Sequence, residues 1–185
     1  MAPSTALLPP VKFNFRRATH PDIPYIIALE RHTPFQDVPS NQIPPSQYKS
    51  YLKTIKNYFI AYPASPTLPG SAPPIAFIEI VKHLPTTCPC AVCKHAKSLD
   101  KKRPWVEIHA MEIASEYAIY WEGLFKQLMF TVQDWASGQR VMELRTSVEL
   151  TKGMRILFTS LGFVDLRDGG GGMQEERGGM KKWFL

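Results

Sequence analysis

The sequence lacks most of the features that would name an activity outright. No apolar run approaches the roughly 20 residues that a bilayer span needs. The opening MAPSTALLPP has no charged leader, and its apolar stretch is too short for a signal peptide. A cytoplasmic protein is therefore expected, or a nuclear one, with no membrane partner. No G-x-S-x-G elbow, Walker loop or dinucleotide fingerprint occurs, so serine-hydrolase, P-loop and Rossmann chemistry find no support. The four glycines at 169–172 open no helix and read as a hairpin tip rather than a phosphate loop. Cysteine is scarce, with three residues confined to 88–93, too few for a disulfide framework in a cytosolic chain. The charge excess is small, 22 basic against 16 acidic residues. That balance suits an anionic ligand. The basic residues are scattered except for 94–103, which reads as a solvated loop, and no nucleic-acid motif accompanies it. No nucleic-acid partner is expected.

What is present is a chain of 185 residues, enough for one domain with a sizeable core. Its 17 prolines exceed the usual ~5% and fall mostly before residue 86, in irregular loops between elements. Residues 1–11 read as a tail. Residues 12–185 read as a single domain, with a cysteine-containing hairpin insertion at 84–104.

Strands are predicted at 12–18, 57–63, 74–84, 104–113, 140–148, 163–166 and 180–185, from alternating or β-branched runs bounded by turn residues. The third and fourth form a natural antiparallel hairpin. A helix follows Thr19, with Asp22 placed as in a capping box and Ile23, Ile26 and Ile27 as its apolar stripe. A second short helix is predicted at 46–56. The longest starts at a Ser115 cap and ends at Gly138, with Tyr117, Trp121, Leu124, Leu128, Val132 and Trp135 on one face. The last follows a Thr151 cap, turns Met154, Leu157, Phe158 and Leu161 inward, and stops at Gly162. The order β-α-α-β-β-β-α-β-α-β-β implies an α/β (α+β) fold, a mixed and mainly antiparallel twisted sheet flanked by about four helices.

Three stretches of this order resemble the GCN5-related N-acetyltransferase (GNAT) family. FNFRRATHPDIPYIIALE looks like its first strand and helix. VEIHAMEIASEYA looks like its fourth strand running into the cofactor turn. MELRTSVELTKGMRILFTSLGFVDL looks like its fifth strand and fourth helix with the SLGF ending. The resemblance implies an N-acyltransferase using acetyl-CoA or another acyl-CoA, with a small-molecule amine or a peptide as acceptor. It places Ile113 beside the pantetheine arm. It puts the pyrophosphate at the turn of Tyr117, Ala118, Ile119, Tyr120, Trp121 and Gly123, and brings Thr151 to the same cofactor site.

The chain departs from the family pattern at two places. The family turn reads Gln/Arg-x-x-Gly-x-Gly/Ala, whereas the matching positions here are Ala118, Trp121 and Gly123. Trp121 would fill space near the phosphates and resists a positive φ. Where the family often carries a tyrosine as general acid, this chain has Phe158, and no tyrosine follows Tyr120. The alternative is a GNAT-fold protein that has lost acyl-CoA use, as a ligand-binding protein or an enzyme of other chemistry.

Acyl transfer to an amine needs a base for the ammonium proton and an oxyanion donor. The fourth strand offers Glu112, His109 and Glu107 as catalytic residues, with Glu79 on the adjacent strand as a further base and the N–H near Ile113 as oxyanion donor. Strict alternation sends Glu112 to the apolar face unless a bulge, common in the family, shifts it. Separately, Cys88, Cys90, Cys93 and His95 lie within eight residues and offer four ligands to a structural zinc, with His83 as a substitute for His95. Free thiols in an exposed loop are the competing reading.

Overall fold

The computed structural model describes residues 12–31, 44–64, 72–83, 104–139, 141, 143–146, 150–165 and 180–183. The strands are β1 (Phe13–Arg17), β2 (Tyr58–Pro63), β3 (Ala76–His83), β4 (Trp105–Ile113), β5 (Glu143–Thr146), β6 (Val164–Asp165) and β7 (Met180–Trp183). The helices are α1 (Ile23–Glu30), α2 (Pro45–Thr54), α3 (Trp121–Gly138) and α4 (Lys152–Ser160). The element order is the one the sequence predicts. The strands form one seven-stranded sheet in the order β1-β2-β3-β4-β5-β7-β6. Every pairing is antiparallel except the parallel pair β4–β5.

Alternation gives the sheet two faces. Phe59, Ala61 and Ile78 turn toward α3, whose Trp135 meets the Phe59 ring edge-on at 5.6 Å. Tyr58 and Glu79 turn the other way, toward α1 and α2. The core runs through both layers, with Ile23, Ile26, Ile60, Phe77, Ile78, Ile108 and Leu128 among its fully buried side chains. Each such residue contributes roughly 1.5–3 kcal/mol by burial.

Local signals fix the helix ends. The Asp22 carboxylate accepts from the Thr19 N–H at 2.7 Å and from a two-pronged Arg16 guanidinium at 2.7 and 2.9 Å, so the expected capping box is present and reinforced from β1. Thr151 caps α4, its Oγ1 accepting from the Met154 N–H at 3.3 Å. Gly162, at φ 83, ends α4 in a Schellman turn in which Phe163 N–H donates to Phe158 O and Gly162 N–H donates to Thr159 O.

The start of α3 differs from expectation. Ser115 does not cap the helix; its hydroxyl donates to Glu116. Residues Ser115–Tyr120 form a 3-10 segment, and the α-helix begins at Trp121. The buried face of α3 is also broader than the predicted stripe, taking in Phe125, Met129 and Ala136, while Tyr117, Trp121 and Trp135 are half-buried. Gly138 is the last helical residue, and Gln139 closes the helix without a positive φ.

Candidate functional site

The site grows from a defect in the β3–β4 ladder. Ile80 pairs with Ile108 and Glu79 pairs with Ala110, so His109 is an extra residue in β4. Such a bulge reverses which face the following residues occupy. Glu112, opposite Phe77, is thereby carried onto the face of Glu79 and Tyr58. The exception allowed for in the sequence reading is the arrangement found.

At the same level the described β4–β5 pairing ends. The last β4–β5 pair is Ile108↔Thr146. Among the described residues, Ala110–Ile113 pair with β3 alone, and Ala114 continues that ladder by donating to Ile75 O at 2.7 Å. Among the described residues this half of β4 therefore has no strand along its second edge, which leaves a gap in the described sheet. Ile113 lies on this edge, half-buried and opposite Ala76.

On the α1–α2 face beside the gap lies a partly buried polar group that no motif announces. Glu30, the last residue of α1, accepts a hydrogen bond from Tyr51 of α2 on one carboxylate oxygen and from Tyr58 of β2, at 3.2 Å, on the other. The two tyrosine rings lie 6.2 Å apart, and Tyr58 meets Phe77 edge-on at 5.3 Å. Glu79 is the cross-strand partner of Tyr58. Burial pushes the Glu79 carboxyl above its ordinary range; a charged His109 and the Tyr58 hydrogen bond oppose that rise, and Glu30 adds to it. Burial is also the first reason that both phenols titrate well above their usual value, followed for Tyr51 by its bond to Glu30 and for Tyr58 by the Glu79 charge. The sequence reading named Glu79 but missed Glu30, Tyr51 and Tyr58. They come from three elements with no fixed spacing, so only the tertiary fold assembles them.

Of the three catalytic residues read from β4, the structure brings two to this region. His109 is exposed at the bulge, and Glu112 lies half-buried beyond it. Glu107 sits on the paired half of β4, where its carboxylate meets buried His83 Nε2 at 2.7 Å. His83 stacks on Trp105 at 3.8 Å, and Arg145 covers the Trp105 ring at 4.4 Å. Glu107 thus belongs to a packed stack before the strands part.

The cofactor turn divides between two sides of α3. Tyr120 and Gly123, with Leu124 and Gln127, face β1 and line a cavity of about 460 Å³ whose far wall is Lys12, Phe13, Asn14 and Phe15. Tyr117 and Tyr120 meet Phe13 edge-on at 6.4 and 5.7 Å. Trp121 points elsewhere. A methyl group added at Gly153 would lie 3.7 Å from the far edge of its indole, so the ring reaches over the first turn of α4 beside Thr151. Its φ of −50 is helical, and no positive φ is needed. Ala118 and Ile119 are exposed. The turn is wound as a 3-10 segment whose N–H groups bond back three residues, with Trp121 N–H donating to Ala118 O. Phe158 is fully buried against Phe163 at 4.9 Å and faces the core.

Cys88, Cys90, Cys93 and His95 lie outside the described residues. Among the described residues, no group of three or more His, Cys, Asp or Glu side chains is placed to hold a metal, and no helix is long and apolar enough to cross a membrane.

No protein-family model matches the chain, and no curated protein sequence matches it. Solved structures do. A polyamine N-acetyltransferase of Drosophila melanogaster that forms N-acetylagmatine covers 94% of this chain over 100% of its own, at 10% identity and TM-score 0.58. Arabidopsis thaliana NAA60, solved with a bisubstrate analogue, covers 94% over 100% at 16% identity and TM-score 0.59. The PaiA N-acetyltransferase of Thermoplasma acidophilum, solved with coenzyme A, covers 94% over 99% at 13% identity and TM-score 0.56. At these identities the likeness speaks for the fold alone. The mixed sheet with its single parallel pair among the described strands, the bulged β4 and the likeness to these structures give this chain the fold of the GNAT acetyltransferases.

Proposed function

We propose that the protein is an acyl-CoA-dependent N-acyltransferase acting on a small-molecule or peptide amine. The observation that carries this reading is the bulge of β4 at His109 where the described β4–β5 pairing ends, at Ile108 and Thr146. The edge of β4 beyond the bulge would bind the pantetheine amides by backbone hydrogen bonds, and an N–H near Ile113 would serve the oxyanion. Coenzyme A in the Thermoplasma acidophilum structure of the same fold supports this assignment. The residues present fit an acyl-CoA in part. The β4 edge and the capped start of α4 at Thr151 support the fit, whereas the turn at Tyr117, Ala118, Ile119, Tyr120, Trp121 and Gly123 holds its N–H groups in a 3-10 segment and must loosen to receive a pyrophosphate.

The acceptor amine enters on the α1–α2 face, where Glu79, His109 and Glu112 share one side of the sheet. A bound acyl-CoA supplies the activated carbonyl. The chain's own residues hold the amine, strip its proton and exclude water. The buried Phe158 provides no acid for the leaving thiolate, which costs about 10²–10⁴-fold relative to an enzyme that has one.

The test is an acetyl-transfer assay. Purified protein is mixed with acetyl-CoA and a panel of primary amines comprising agmatine, an arylalkylamine and short peptides with free N-termini. Release of free thiol that depends on both acetyl-CoA and one amine class is expected. No thiol release above the hydrolysis blank with any amine would contradict the reading.

A further inference from the structure

We infer that Glu79, Tyr58 and Glu30 form a proton path, in which Glu79 takes the proton of the acceptor ammonium and Tyr58 passes it to Glu30. The inference rests on the acyltransferase reading and gives the base a place on β3 rather than β4.

The geometry of three strands and two helices converges on Glu79. On the β4 side its partner is Ala110, brought opposite by the bulge at His109. Directly opposite the carboxyl β4 sets only a methyl group, with His109 and Glu112 flanking it, and Glu79 is half-buried rather than enclosed among the described residues. On the β2 side its partner is Tyr58. The Tyr58 hydroxyl has one proton and two carboxylates before it, Glu30 at 3.2 Å and Glu79. Donation to Glu79 holds that carboxylate ionised; once Glu79 takes a proton, the same hydroxyl donates to Glu30 and accepts from Glu79 on a lone pair. Tyr51 donates to the second Glu30 oxygen and so orients that carboxylate toward the chain of groups. Glu30 is half-buried at the end of α1, next to exposed Arg31, which gives the proton an outlet to water.

The step balances as follows. The ammonium R–NH3+ gives one proton to the Glu79 carboxylate, leaving R–NH2 and a neutral Glu79. Glu79 hands its proton to the Tyr58 oxygen as Tyr58 hands its own to Glu30, which loses it to solvent. The amine lone pair forms the new C–N bond at the thioester carbonyl while the C–S bond breaks. The second N–H proton leaves with the thiolate sulfur. Amine cation and acetyl-CoA thus become acetamide, free thiol and one released proton. A base works best when its proton affinity approaches the working pH, and burial moves Glu79 in that direction.

Among the described residues, the charged and titratable groups facing Glu79 are Tyr58 from β2, Glu30 from α1, Tyr51 from α2 with Arg31 behind it, and His109 and Glu112 from β4. Two of them act on Glu79 in opposite senses. Tyr58 holds its proton affinity down and Glu30 raises it. Two near-isosteric substitutions therefore make opposite predictions. In Tyr58→Phe the acid limb of the kcat/KM profile moves to higher pH; in Glu30→Gln it moves to lower pH. Glu79→Gln lowers kcat/KM by about 10²–10⁴-fold, the usual loss of a general base, with little change in the KM for acetyl-CoA.

The experiment measures kcat/KM against pH for wild type and these three variants, with acetyl-CoA and the best amine of the panel. In parallel, the Glu79 carboxyl is titrated by carbon NMR on glutamate-labelled protein. Opposite displacements in Tyr58→Phe and Glu30→Gln, in both readouts, are the expected result. A Glu79→Gln enzyme within tenfold of wild type, or displacements of one sign in the two variants, would overturn the path. If wild type acetylates no amine, the functional reading fails by itself. The NMR titration then decides the coupling alone, and the absence of opposite displacements there would overturn it.

Discussion

The two sides of the β4 gap are built in different ways. On the acceptor side the polar groups are paired before any ligand arrives: Glu30 accepts from two phenols, and Tyr58 and Glu79 sit in register on adjacent strands. On the cofactor side the turn is occupied by its own structure. Its N–H groups close a 3-10 segment, and the Trp121 indole reaches across to α4. A site with one half preorganised and the other half closed spends cofactor binding energy on opening itself. Acceptor chemistry is therefore encoded in stable contacts, and cofactor affinity in a local rearrangement.

Substitutions on the two sides should separate stability from affinity. The largest effect is expected at Glu30. Glu30→Ala takes one acceptor from two phenols at once, Tyr51 and Tyr58, the latter only 4% exposed, and the loss of a buried hydrogen-bond partner costs roughly 1–3 kcal/mol. Urea unfolding would show the loss as a lower midpoint with an unchanged slope. A midpoint equal to wild type would mean that the network is not formed. Next comes Trp121→Ala, which removes the indole over Gly153 and leaves the helix intact. Acetyl-CoA should bind about tenfold more tightly, near 1.4 kcal/mol, with stability altered less than in Glu30→Ala. Weaker binding would show instead that the indole is a wall of the cofactor site. The smallest effect belongs to Gly123. A methyl group there meets nothing within 4 Å, and replacing a helical glycine by alanine gains about 0.8–1.0 kcal/mol. Gly123→Ala should raise the Tm slightly; a lower Tm would mean that the start of α3 is not helical in solution.

The same contrast runs through what the sequence disclosed. Features set by neighbours in the chain were legible. The Ile23–Ile26–Ile27 stripe, the Thr151 cap and the Gly162 terminator each follow from a few adjacent residues, and each is present. The bulge was legible only as an alternative, because alternation in 104–113 does not reveal where a ladder slips. It was decided by β3, through Ile80↔Ile108 and Glu79↔Ala110. The Ser115 cap failed because its hydroxyl found Glu116, and the chain took a tighter turn before α3. The Glu30–Tyr51–Tyr58 group was not legible at all. Its members lie in α1, α2 and β2, and no local pattern distinguishes Tyr51 from a surface tyrosine or Glu30 from a solvated helix end. Glu107 illustrates the converse: its position on β4 marks it for chemistry, yet tertiary packing commits it to His83.

The central claim is that the gap beside β4 receives an acyl-CoA despite the closed turn, and calorimetric titration with acetyl-CoA and with free CoA at low salt tests it most directly. Saturable binding at micromolar strength, strengthened in Trp121→Ala, is the predicted result. No detectable heat at millimolar ligand, in wild type and in Trp121→Ala alike, would contradict it.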